Sequence, residues 1–72
     1  MQGFNSIGRF VINAENVAFG RGNLTDLETA LNALTRKDIE KVGRLADCAK
    51  QCVQGTASVS QLKRAVLAHH SR

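Results

Sequence analysis

The sequence contains no proline, no tryptophan and no tyrosine, and only two cysteines and three phenylalanines among its 72 residues. Without proline, no residue removes a backbone donor from the interior of a helix. Aromatic residues, which favour strands, are scarce, whereas alanine, leucine, lysine, arginine and glutamine, which favour helices, are plentiful. The composition therefore predicts an all-α protein.

The two cysteines are too few for the disulfide framework of a small secreted domain. The chain also shows no signal-peptide pattern and no run of the roughly 20 apolar residues that span a bilayer. We therefore expect a cytoplasmic protein with no membrane partner. Cys48 and Cys52 fall on a predicted helix that also carries core residues, so we interpret them as packing residues and not as zinc ligands with His69 and His70. We expect neither a metal nor another cofactor.

A chain of 72 residues forms one domain with a thin core, here residues 1–72. Such a core seldom supplies more than roughly 3–5 kcal/mol of net stability. A homodimer that shares the leucine stripe from Leu24 to Leu34 is one way to enlarge it. The net charge of +4 favours nucleic acid or an acidic protein surface as the partner.

Three segments carry the pattern that caps a helix start, in which a Ser or Thr is followed three residues later by an acidic or amide residue. They are Thr25 to Glu28, Thr35 to Asp38 and Ser58 to Gln61. The second segment predicts the longest helix, which we expect to end near Gly55 because glycine adopts the left-handed conformation that closes a helix.

Residues 4–20 are compatible with two structures. Their apolar residues recur at helical spacing, but 10–12 and 17–19 also resemble two short strands around a turn. The predicted fold is therefore a compact bundle of three to four short helices, with a β-hairpin as the alternative for the N-terminal segment.

No pattern indicates catalysis. The glycine spacing from Gly3 to Gly8 is that of a phosphate loop, but Arg9 and Phe10 stand where a lysine and a Ser or Thr are required. Ser58 and Ser60 are explained as caps, and no base is positioned to activate either hydroxyl group. We expect the protein not to be an enzyme.

The leading hypothesis is a small regulatory binding module for duplex DNA. The cations Lys37, Lys41 and Arg44 follow one another at helical steps and are candidates for phosphate contacts. The segment from Leu45 to Leu67 is compatible with a helix-turn-helix. Its candidates for contacts with base edges are Gln61, Lys63 and Arg64. A solvated helix face explains the same cations without a ligand.

The competing hypothesis is a protein-binding inhibitor or adaptor. Its basic surface docks on an acidic patch of a larger protein. Aromatic side chains often anchor protein interfaces, and the candidates here are Phe4, Phe10 and Phe19.

Overall fold

The computed structural model describes residues 6–71, and these residues form helices joined by short turns, with no strand among them. The five helices are α1 (Ser6–Ala18), α2 (Leu24–Asn32), α3 (Arg36–Val42), α4 (Arg44–Gln54) and α5 (Val59–His70). The all-α prediction is confirmed. The expected number of three to four helices is too low by at least one. The long helix that was predicted to end near Gly55 is divided into α3 and α4.

The N-terminal segment is a helix and not a hairpin. The face of α1 that points into the protein carries Phe10, Ala14, Val17 and Ala18, all of which are buried. Apolar residues at this spacing form one continuous stripe on a helix, whereas in a strand they would fall on both faces. The helical pattern therefore predominates over the short apolar runs at 10–12 and 17–19.

The predicted long helix is interrupted at Gly43. This residue has φ +50° and ψ −114°, a conformation that L side chains rarely adopt. Its N–H ends α3 by donating to the Ile39 carbonyl, and its own carbonyl starts α4 by accepting from Ala46 and Asp47. The break gives α4 a direction of its own.

Two of the three predicted helix starts are confirmed with complete capping boxes, those at Thr35 and Ser58. The prediction for α2 is wrong by two residues. Asn23 is the cap, and its side-chain oxygen accepts the Asp26 N–H at 2.8 Å. Thr25 lies within the first turn, because Asn is at least as good a cap as Thr and precedes it.

Helices α1, α2, α4 and α5 form a ring in which each packs against two others, α1 and α4 both contacting α2 and α5. The short α3 connects α2 to α4. The largest fully buried side chains come from every helix of the ring and from α3: Phe10, Leu27, Val42, Leu45, Leu62 and Val66. A single core therefore runs through the ring.

The leucine stripe considered for a homodimer belongs mainly to this core. Leu27 and Leu34 are buried and Leu31 is partly buried, whereas Leu24 is exposed. Because these side chains already pack inside the chain, they are not available to form a dimer interface. The homodimer itself stays a prediction.

Both cysteines are free and serve the packing, as the sequence predicted. Cys52 is buried, and its thiol donates to the Ser58 carbonyl oxygen at 3.4 Å. Cys48 is partly buried at the margin of the core.

Candidate interaction surfaces

Every lysine and arginine among residues 6–71 is exposed, and none of them pairs with a carboxylate within 4.0 Å in this part of the chain. Several carboxylates already have partners within the protein. Asp38 accepts the Thr35 N–H, Asp26 accepts from the Asn23 side chain, and Glu15 pairs with His70. The positive charges consequently remain available for a partner.

The first basic surface consists of Lys37, Lys41 and Arg44, and we call it the α3–α4 basic surface. All three side chains are exposed. Lys37 and Lys41 lie one turn apart on α3, but Arg44 begins α4 after the break at Gly43. The three cations are thus near one another along the chain without forming the single-helix row that the sequence predicted.

Helices α4 and α5 form an antiparallel hairpin. At the turn, Cys52 contacts Ser58, and at the other end Arg44 and His69 line one shallow pocket. The first residue of α4 therefore meets the last turn of α5. A helix-turn-helix, whose helices cross at about 90–120°, stays a prediction for this pair of helices.

The residues considered for base contacts have different surroundings. The Gln61 side-chain oxygen accepts the Ser58 N–H at 2.9 Å and completes the capping box of α5. Lys63 turns towards the end of α1, where its Nζ atom lies 5.1 Å from the centroid of the Phe19 ring. Arg64 is exposed to solvent. Of these three side chains, Gln61 and Lys63 thus have contacts within the protein, whereas Arg64 extends into solvent.

The three phenylalanines considered as interface anchors have different environments. Phe10 has no exposed surface, so it is a core residue and offers nothing to a partner. Phe19 keeps 43% of its surface exposed. Phe4 lies outside the described residues.

A further apolar surface, which the sequence analysis missed, lies where α1 and α5 are side by side. We call it the α1–α5 face, and it consists of Ile12, Phe19, Val59 and Leu67, whose exposed fractions are 58%, 43%, 49% and 51%. These are four of the six exposed large hydrophobic residues within positions 6–71.

Helical spacing groups these side chains into two rows, and two contacts join the rows. Ile12 lies on α1 and Phe19 directly follows its last residue, so the two are seven residues, or about two turns, apart. On α5, Val59, Lys63 and Leu67 follow at steps of four. The Lys63 contact with Phe19 and the His70 pair with Glu15 join the two rows. The sequence reveals each row, but only the packing makes them neighbours.

The α1–α5 face is bordered mainly by positive charge. Lys63 and Arg64 lie on α5, and both are exposed. Glu15 is the single carboxylate on these two helices, and it is paired with His70. The face is therefore apolar with a basic margin.

The thiols are poorly suited to nucleophilic chemistry. Burial raises the pKa of Cys48, an effect that a hydrogen bond with Cys52 partly offsets. Burial also raises the pKa of Cys52, and the neighbouring Cys48 raises it further. The reactive form of cysteine is the thiolate, which these environments disfavour at neutral pH.

Comparison with protein-family models, with curated proteins and with solved structures found no match to this chain. Among the described residues, no helix is long and apolar enough to cross a membrane, and no group of three or more potential ligands is arranged to hold a metal ion. The α3–α4 basic surface and the α1–α5 face are therefore the features that suggest a function.

Proposed function

We propose that this protein is a small, basic, non-catalytic regulatory binding module, and that duplex DNA is the first partner to test. The supporting observation is the α3–α4 basic surface, whose cations Lys37, Lys41 and Arg44 are exposed and have no carboxylate partner among residues 6–71. Lysine and arginine side chains that neutralise phosphates release condensed counterions, which supplies affinity without reading the sequence.

The proposed binding mode uses phosphate contacts and little base readout. Phosphate contacts position a protein on the duplex, whereas base-edge contacts in a groove specify the sequence. Gln61 and Lys63 have other contacts, and α4 and α5 form a hairpin. We therefore expect similar affinities for duplexes of unrelated sequence.

A salt series on a random-sequence duplex tests this proposal. Three phosphate contacts give a slope of roughly −2.7 in a plot of log affinity against log salt concentration. Changing Lys37, Lys41 and Arg44 to alanine removes most of that slope. The matched control replaces Arg9, Arg21 and Lys50, which are equally exposed and carry the same total charge.

The two variants separate a defined surface from general charge. A loss of slope that is larger in the α3–α4 variant supports the proposal. Equal losses in both variants show that only net charge matters, and absence of binding at low salt eliminates DNA as the partner.

The second candidate is an inhibitor or adaptor that docks on an acidic region of a larger protein. The α1–α5 face favours it, because exposed apolar side chains within a charged margin are typical of protein interfaces. Its test is binding to a purified acidic protein partner after nuclease treatment. We expect Phe19→Ser with Leu67→Ser to abolish that binding while the α3–α4 variant retains it; the opposite pattern contradicts this candidate.

A further inference from the structure

We propose that the α1–α5 face binds an acidic amphipathic helix of a partner protein. The inference rests on the second candidate function and specifies the form of the partner. Its basis is the combination of four half-exposed apolar side chains, two adjoining helices and a basic margin.

The shape of the face suits a helix. Ile12 on α1 and Phe19 just after its end form one row, and Val59 and Leu67 form a second row on the adjoining α5. A partner helix that lies along these rows contacts them with side chains at positions i, i+3 or i+4, and i+7. Since α5 has 12 residues, it is about 18 Å long, which matches a partner helix of about three turns.

The charge of the face selects an acidic helix. Lys63 lies one turn from both Val59 and Leu67, and Arg64 lies one turn from Leu67. Acidic side chains beside the apolar stripe of the partner therefore meet exposed cations that have no carboxylate partner among residues 6–71. A basic helix of the same shape meets repulsion, since the one carboxylate of α1 and α5, Glu15, is already paired with His70.

The same charges disfavour a second copy of this chain as the occupant. A symmetric dimer places the same patch of both subunits together. It would bring Lys63 and Arg64 of one copy near the same residues of the other, between chains that each carry a net charge of +4. A different, acidic protein avoids this repulsion.

The test uses three synthetic peptides of 14 residues. The first has leucines at helical spacing and glutamates elsewhere, the second has lysines in place of the glutamates, and the third has the composition of the first in scrambled order. Binding is followed by backbone amide chemical shifts of the full chain. We expect saturable shifts confined to α1 and α5 with the first peptide only.

Variants identify the charges. Lys63→Glu with Arg64→Glu is expected to weaken the acidic helix by about tenfold or more and to strengthen the basic one. Lys37→Glu with Lys41→Glu makes the same charge change on α3 and is expected to leave the affinity unchanged apart from screened long-range effects. All four side chains are exposed, and circular dichroism is the check that each variant folds.

Each other outcome overturns the inference in a distinct way. If the scrambled acidic peptide binds equally well at the α1–α5 face, the partner need not be a helix. That outcome contradicts the inference but still supports an acidic protein as the partner. If neither acidic peptide binds, the inference is wrong, and so is the proposal that the α1–α5 face docks on an acidic region of a larger protein. Preference for the basic peptide, self-association through this face, or binding only to anionic phosphatidylserine vesicles also rejects the proposed occupant.

Discussion

The Nζ atom of Lys63 lies 5.1 Å from the centroid of the Phe19 ring and connects α5 to the end of α1. The sequence assigned these residues to different hypotheses, Lys63 to base contacts and Phe19 to a protein interface. In the folded chain they touch, so a change in either one alters the surroundings of the other. Experiments on the two hypotheses must therefore treat them as a pair.

The Lys63 and Phe19 pair is expected to show a measurable coupling energy. A cation over an exposed ring contributes about 0.5–1 kcal/mol. In a double-mutant cycle with Lys63→Ala and Phe19→Leu, urea unfolding should give a coupling in this range. The control cycle uses Arg64→Ala, which should show almost none; equal coupling in both cycles contradicts the contact.

Phe10→Ala is expected to destabilise the protein far more than Phe19→Ala. Removal of a buried phenylalanine side chain costs about 3–5 kcal/mol, which is close to the whole stability of a core this small. Phe19 is 43% exposed, so its removal should cost clearly less. Thermal unfolding of the two variants gives the comparison, and similar losses would contradict the assigned environments.

The cap of α2 is tested by Asn23→Ala and Thr25→Ala. Asn23 accepts the Asp26 N–H, so its loss should cost about 1 kcal/mol. The hydroxyl group of Thr25 caps no helix. The Thr29 hydroxyl donates to the backbone carbonyl of Thr25, which an alanine at position 25 keeps. We expect Thr25→Ala to be nearly neutral in urea unfolding; the reverse order would restore Thr25 as the cap.

Gly43→Ala is expected to lower the free energy of unfolding by about 1–3 kcal/mol, because an L residue is strained at φ +50° and ψ −114°. Nothing closer than 3.9 Å surrounds the added methyl group, so the cost is conformational and not a steric clash. Ser60→Ala on α5 is the control and should change little. An unchanged stability would show that α3 and α4 can join without penalty.

The thiols are expected to make stability fall in alkaline solution. Burial raises the pKa of Cys48 and Cys52 above the ordinary value of 9.0. As pH rises through this value, the unfolded chain releases thiol protons that the folded chain keeps, which favours unfolding. Urea unfolding under reducing conditions, from about pH 8 to pH 10, should show a steeper fall than in the double alanine variant. Equal slopes would contradict the burial effect.

Local chemistry explains the parts of the fold that the sequence predicted well. The Thr35 and Ser58 caps and the end at Gly55 each depend on residues within one turn, so they are visible in the sequence. Gly43 was missed because a glycine inside a helical pattern is compatible with both a continuous and a broken helix. The choice between them depends on packing against distant helices.

The candidate surfaces likewise depend partly on local sequence and partly on the packing of distant helices. The sequence showed which residues are basic, and their exposure follows from the cost of burying charge. It also determined by itself the all-α class and the helix ends at Thr35, Gly55 and Ser58. Only the tertiary structure decided that Phe10 is inside, that α4 and α5 form a hairpin, and that α1 lies against α5. Glu15 and His70 meet across 55 positions of sequence, and such neighbours are set by how helix faces fit together, which no local pattern encodes.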